Sequence, residues 1–130
     1  MAETYSLQSL GVILQEAALA INHRAKDETL EYKEVKALSY QAQELLIKSK
    51  TLFELATIEI GVKAQDSLAE LNTAQKDIVK TLKTIKSVQK AINIAGKLVS
   101  LSGALLSSDV AGVVSSVKGI LTDVADDKAS

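Results

Sequence analysis

The sequence predicts an all-α fold: an elongated helical bundle with two long antiparallel helices, an N-terminal helix and an apolar C-terminal helical pair. Three observations support this prediction. The 130-residue chain has no Pro and only six Gly, so few residues interrupt a helix. Apolar residues recur at helical spacing from end to end. Aromatic residues make up only 3% of the chain, so small aliphatic side chains, which favour close helix packing, must form the core.

We expect one domain over residues 1–130, with a first helix over residues 4–24. Its apolar face at helical spacing includes Leu7, Leu14 and Ile21, and we expect it to pad one side of the hairpin formed by the next two helices. After a polar stretch, the second helix is predicted over residues 30–60. Its apolar positions form a heptad seam with one polar member: Val35, Leu38, Ala42, Leu45, Ser49, Leu52 and Ala56.

The third helix is predicted as one continuous element over residues 62–106. The same rhythm continues through Leu71, Ala74, Ile78, Thr81, Ile85, Val88, Ile92, Ala95 and Val99. About 30 residues of helix span roughly 45 Å, so two such seams predict long helices packed nearly parallel or antiparallel. The polar trio Ser107, Ser108 and Asp109 predicts a break and a cap before a fourth helix over residues 109–125.

The C-terminal part of the chain is poor in charge and rich in small residues at four-residue spacing. Such rows let helix backbones approach closely, both in membranes and in tight soluble pairs. The predicted helix-packing small face consists of Gly96, Ser100, Ala104, Gly112 and Ser116. The larger apolar residues of the same region are predicted to contact a membrane or a partner: Leu98, Leu101, Leu105, Val110, Val113, Val117 and Ile120.

A row of lysines precedes this apolar region. It consists of Lys76, Lys80, Lys83, Lys86, Lys90 and Lys97. One interpretation is an ordinary solvated helix face. The other is contact with an anionic surface, either lipid headgroups or an acidic partner helix. Nucleic acid is not a predicted partner, because no Arg or aromatic residue is interleaved with the lysines.

The sequence contains no arrangement of residues that supports catalysis. It has no Cys, and His23 is its only His, so a triad has neither a thiolate nor a second imidazole. The acidic tail of Asp123, Asp126 and Asp127 lacks the pattern of a calcium loop. We therefore predict no enzyme, no catalytic, cofactor-binding or metal-binding residue, and no small-molecule substrate.

The location of the protein is left open by its sequence. The first basic residue is Arg24, so the basic start of a signal peptide is missing. Every apolar run is also too short for an ordinary transmembrane helix. We expect a protein that is either cytoplasmic or exported without a cleaved N-terminal signal.

Two function classes follow from these features. Over about the last 40 residues, the layout of amphipathic helices with an apolar, Gly-rich hairpin resembles that of α-helical pore-forming toxins. That resemblance implies a membrane-active protein, and a lipid-surface-binding variant would be similar to the phasins that coat apolar granules. The alternative is a helical interaction or scaffold module that forms homo-oligomers or binds a helical partner through its C-terminal apolar helices.

Overall fold

A computed structural model describes residues 7–54 and 62–129 of the chain. In these two ranges the chain forms six α-helices and no strand. The helices are α1 (Leu7–Ala25), α2 (Tyr32–Glu54), α3 (Val62–Thr73), α4 (Gln75–Thr84), α5 (Val88–Leu106) and α6 (Val110–Ala129). The predicted all-α bundle is confirmed. Residues 4–6 of the first predicted helix and 55–60 of the second lie outside the described residues.

The prediction of one continuous helix over residues 62–106 is wrong. This segment forms three helices, because the chain turns at Ala74 and again at residues 85–87. At the second break Ile85 is extended, with ψ of 132°, while its N–H still donates to the Thr81 carbonyl. The Ser87 hydroxyl then accepts the Lys90 N–H at 3.3 Å and caps the start of α5. The predicted second seam is therefore divided among α3, α4 and α5.

The N-terminal helix α1 is the central helix of the bundle and not padding at its side. It packs most extensively against α2 and α4, and also contacts α3 and α5. Its core residues are at most 2% exposed: Leu10, Ile13, Leu14, Ala17, Ala18, Ala20 and Ile21. The three alanines are short enough to let several helices approach the same segment closely. This placement differs from the expected hairpin of two long central helices.

Close approach between α1 and α2 is visible at Gly11. The buried Ser49 hydroxyl donates to the Gly11 carbonyl at 2.8 Å, which satisfies the one polar position of the α2 seam. A Cβ at Gly11 would lie 3.1 Å from the nearest atom of the Phe53 ring. The predicted seam of α2 therefore faces α1, and its residues Leu38, Ala42, Leu45 and Leu52 are buried.

The predicted joint at residues 107–109 separates α5 from α6. Ser108 has a positive φ of 59°, and Asp109 Oδ1 accepts the Gly112 N–H at 2.9 Å, which caps α6. The last helix packs against α5 and α3. It buries four residues at heptad-like spacing: Val113, Val117, Ile120 and Val124. The C-terminal pair is therefore folded onto the bundle and does not project from it.

Candidate functional site

Helix α4 separates apolar and basic residues onto opposite sides. Ile78, Thr81 and Leu82 are buried against the bundle. Lys76, Lys80 and Lys83 are exposed, and their spacing of four and three residues places them on one face of the helix. Three members of the predicted lysine row therefore lie together at the protein surface.

The C-terminal end of α1 brings further cations to the end of α4. An open surface hollow of about 490 Å³ lies between the two segments, and we call it the basic hollow. It is lined by His23, Arg24, Lys26, Asp27, Lys83, Thr84, Ile85 and Lys86. Asp27 is the only acid among these lining residues. We call the basic hollow together with Lys76 and Lys80 the basic face.

Arg24 joins α1 to the break between α4 and α5. Its Nε donates to the Ile85 carbonyl at 3.3 Å and its Nη2 to the Lys86 carbonyl at 3.3 Å. Its Nη1 lies 2.9 Å from Asp27 Oδ2, and the Arg24 side chain is only 13% exposed. The planar guanidinium of Arg24 thus donates hydrogen bonds to the Ile85 and Lys86 carbonyls, which lie where the helix is interrupted. No local sequence pattern predicts this role, because residue 24 is about sixty positions from residues 85 and 86.

The carboxylate of Asp27 is engaged within its own turn. The Thr29 hydroxyl donates to Asp27 Oδ1 at 2.7 Å and the Thr29 N–H donates at 2.9 Å. These two bonds, followed by the bond and charge of Arg24, hold the pKa of Asp27 below its usual value. The carboxylate therefore stays ionised, with its oxygens directed to Thr29 and Arg24.

A second concavity adjoins the basic hollow, and we call it the α1 groove. It has a volume of about 930 Å³, and α1 supplies its floor, α2 one wall and α4 the other. Leu19 lies on the floor with 60% of its surface exposed, while Val35 of α2 and Val79 of α4 are half-buried on the walls. His23, Lys26 and Lys83 line both concavities, so the groove is continuous with the basic hollow.

The predicted membrane or partner contacts lie mostly inside the bundle. Five of the seven are at most 1% exposed: Leu98, Leu101, Val113, Val117 and Ile120. Leu105 is half-buried, and Val110 is 39% exposed. The physical reason is that α5 packs on α2 while α6 packs on α3. In the folded chain these five side chains are buried, and their contact with a membrane or a partner stays a prediction.

The predicted small face is only partly a helix-packing face. A Cβ at Gly112 would lie 3.2 Å from the Ala104 Cβ, so these two residues do bring α5 and α6 together. A Cβ at Gly96 would meet nothing within 4 Å, and Ser100 is exposed, while Ser116 is half-buried. Gly96 and Ser100 thus lie on the outer side of α5, because the buried side of that helix carries its larger residues.

Lys97 has a different environment from the rest of the lysine row. Its Nζ lies 2.5 Å from Asp123 Oδ2 of α6, and its Cδ would lie 3.4 Å from a Cβ at Gly119. Lys97 therefore links α5 to α6 and is not directed at an external anion. Lys86, in the break, and Lys90, in the first turn of α5, are both exposed.

Comparisons with protein families, with curated proteins and with solved structures found no match to this chain. Within residues 7–54 and 62–129, no helix combines the length and the apolar character that crossing a membrane requires. The same two ranges contain no group of three or more His, Cys, Asp or Glu residues placed to hold a metal ion.

Proposed function

We propose that this protein is a non-enzymatic lipid-surface-binding protein that attaches to anionic headgroups through the basic face. The observation that carries the proposal is the convergence at one hollow of Lys83 and Lys86 with Lys26 from the end of α1. This clustering occurs on a chain whose net charge is −1. The acid in the hollow, Asp27, is directed to Arg24 and Thr29, so the lysines dominate the outward charge.

The strength of such attachment follows from the number of lysines. Each Lys near an anionic membrane contributes about 1 kcal/mol. The five lysines of the basic face would therefore contribute about 5 kcal/mol, which corresponds to a dissociation constant near the millimolar range. We expect binding that is reversible and weakened by salt, because exposed charges are screened within roughly 10 Å at moderate ionic strength.

Insertion and pore formation are a further step of this proposal and require the C-terminal pair to open. The five buried apolar residues of α5 and α6 would have to leave the core. Exposing each of these side chains to water costs about 1.5–3 kcal/mol of free energy, unless lipid covers the side chain instead. Surface attachment requires no such opening, so we propose attachment as the primary activity and insertion as a second step that follows it.

The first prediction concerns flotation with vesicles. Wild-type protein should float with phosphatidylserine-containing vesicles at low ionic strength, and should not float with phosphatidylcholine vesicles or at high ionic strength. The double variant Lys76→Glu/Lys80→Glu should lose binding, because reversing two charges removes roughly 4 kcal/mol of attraction. Both residues are exposed, so the fold should persist, which circular dichroism would check.

A matched control is available on other helices. Lys50→Glu/Lys118→Glu changes the net charge by the same amount at exposed positions of α2 and α6, and it should retain most of the binding. Equal loss in both double variants, or wild-type protein that stays unbound at low ionic strength, would refute a role for the basic face. Dye release measured in parallel reports whether attachment proceeds to insertion.

A second candidate, a helical interaction module, is favoured by a different observation. Seven of the nine large apolar residues that are exposed in the described ranges belong to α1 and α2: Val12, Leu19, Tyr32, Tyr40, Leu46, Ile47 and Phe53. Exposed apolar residues concentrated on two adjoining helices are typical of interaction surfaces. Under this proposal a helical partner or a second copy would bind at α1 and α2, because the C-terminal apolar residues already form the core.

A further inference from the structure

The α1 groove presents apolar surface that the described helices leave uncovered. Leu19 is 60% exposed, although its neighbours on the two walls, Val35 and Val79, are half-buried. Leu19 lines a concavity together with two valines, unlike an isolated apolar residue on a convex surface. Enclosing it would remove apolar area from water and stabilise a complex.

The dimensions of the groove match a helix. Its floor extends from Glu16 to Lys26, which is about 15 Å along the α1 axis, or roughly three helical turns. The walls are themselves helices on either side of α1, and helices pack into the valleys between other helices. An amphipathic helix fills such a valley with apolar residues at the spacing of successive turns. A flat headgroup layer has no part that projects into it.

The distribution of charge along the groove favours a bound helix of complementary charge. His23, Lys26 and Lys83 surround the end that opens into the basic hollow. At the other end, the carboxylate of Glu16 accepts a bond from Gln75 Nε2. An occupant with carboxylates beside Lys26 and Lys83 is therefore favoured over one with basic residues there.

We propose that the α1 groove binds an acidic amphipathic helix of a partner protein. The apolar stripe of that helix would cover Leu19 between Val35 and Val79, and its carboxylates would lie beside Lys26 and Lys83. The proposal does not depend on vesicle binding, since it concerns the concave, apolar part of the surface. It gives the interaction module a recognition rule: leucine-like anchors at successive turns, with acidic residues at one end.

The test uses two synthetic, helix-stabilised peptides of equal length. Both carry leucines at i, i+4, i+7 and i+11, and their polar positions hold Glu in one peptide and Lys in the other. Fluorescence anisotropy should show saturable binding of the Glu peptide with one peptide per chain, and the Lys peptide should bind at least about tenfold more weakly. Methyl NMR shifts should centre on Leu19, Val35 and Val79.

Variants separate the groove from the rest of the surface. Leu19→Gln keeps a good helix former at an exposed position, so the fold should persist. The variant should bind the Glu peptide about tenfold more weakly or worse, because the central apolar contact is lost. The same variant should float with vesicles as the wild type does. Lys26→Glu/Lys83→Glu should also lower the affinity for the Glu peptide, whereas the control Lys50→Glu/Lys118→Glu should leave that affinity unchanged.

Four results would overturn the proposal. They are the absence of saturable binding, equal affinity for the two peptides, an unchanged affinity in Leu19→Gln, and NMR shifts centred on Tyr40 and Ile47 of α2. Loss of vesicle binding alone leaves the peptide result intact, and loss of peptide binding alone leaves the vesicle result intact. The outcomes for the groove and for the basic face are therefore distinguishable.

Discussion

At the scale of single residues, Arg24 and Asp27 hold the end of α1 against the break between α4 and α5. The lowered pKa of Asp27 also determines how the contribution of this carboxyl to stability changes with pH. A carboxyl whose pKa is depressed in the folded state stabilises that state above the ordinary Asp pKa of about 3.9. This contribution disappears as the pH falls through the lower folded-state value.

Replacing Arg24 by Ala should lower the free energy of unfolding by about 1–3 kcal/mol, because two backbone carbonyls lose a charged donor. Arg24→Lys should recover little, since a single ammonium group cannot reproduce the fork of the guanidinium. Chemical denaturation followed by far-UV circular dichroism measures both. The exposed neighbour Lys26 is the control, and Lys26→Ala should change stability by less than about 0.5 kcal/mol. Equal effects of Arg24→Ala and Lys26→Ala would contradict the role of Arg24.

At the scale of elements, α5 and α6 contact each other through few of the small residues that were predicted to join them. Ala104 meets Gly112, and the ion pair between Lys97 and Asp123 bridges the two helices further along. Gly96 and Ser100 of the predicted small face lie on the outer side of α5, whereas Ala91 and Ala95 are buried. Small residues therefore occur on both sides of α5, and spacing alone does not distinguish a packing face from an exposed one.

This difference leads to opposite expectations for two similar substitutions. Gly112→Leu should cost about 1–3 kcal/mol through overpacking, because its Cβ would collide with the Asp109 carboxylate that caps α6 and press on Ala104. Ser100→Leu should change stability by less than about 0.5 kcal/mol, since Ser100 is exposed. Thermal unfolding of the two variants measures the difference. A Ser100→Leu variant as unstable as Gly112→Leu would show that the outer side of α5 is packed.

At the scale of the whole molecule, the bundle is arranged around α1. This helix is apolar on more than one side, with Ala17, Ala18 and Ala20 all buried, which is typical of a helix that packs against several others. The chain therefore organises its core around an element at one end of the sequence. Contacts between α1 and α4 join residues about sixty positions apart, so the fold depends on long-range packing.

Truncating the centre of α1 should consequently be among the most damaging single changes. Leu14→Ala should cost about 2–5 kcal/mol, because Leu14 is 0% exposed and its loss leaves a cavity between helices. Val114→Ala is the control on α6, where the side chain is 40% exposed, and it should cost less than about 0.5 kcal/mol. Denaturant titration gives both values. A cost for Leu14→Ala below that of Val114→Ala would place α1 at the periphery.

Periodicity was enough to predict the buried sides of α2 and α4, but not that of α5. Leu38, Leu45 and Leu52 are buried in α2 as the heptad rhythm indicates, and on α4 the same rhythm correctly separates Ile78 from Lys80. In α5 the seam is only partly buried: Val88 and Ala95 lie in the core, whereas Ile92 and Val99 are half-buried.

Tertiary packing decides two features that no local sequence pattern predicts, the break before α5 and the basic hollow. Ser87 is a good capping residue, but a Ser is also tolerated inside a helix, so a local pattern does not require the break that it caps. Arg24 and Lys26 join Lys83 and Lys86 only because α1 ends beside the end of α4. The lysines of the candidate site were therefore predictable from spacing, whereas the hollow that gathers them was not.

The exposed aromatic rings have a consequence for spectroscopy. The chain has no Trp, and Tyr32 and Tyr40 are 81% and 60% exposed, while Phe53 is 37% exposed. Tyr5 lies outside the described residues. Rings in contact with solvent contribute little near-ultraviolet dichroism, so the native protein should combine a strong far-ultraviolet helix signal with a faint near-ultraviolet one. In other proteins that combination is a mark of a molten globule, but here it belongs to a fully packed aliphatic core.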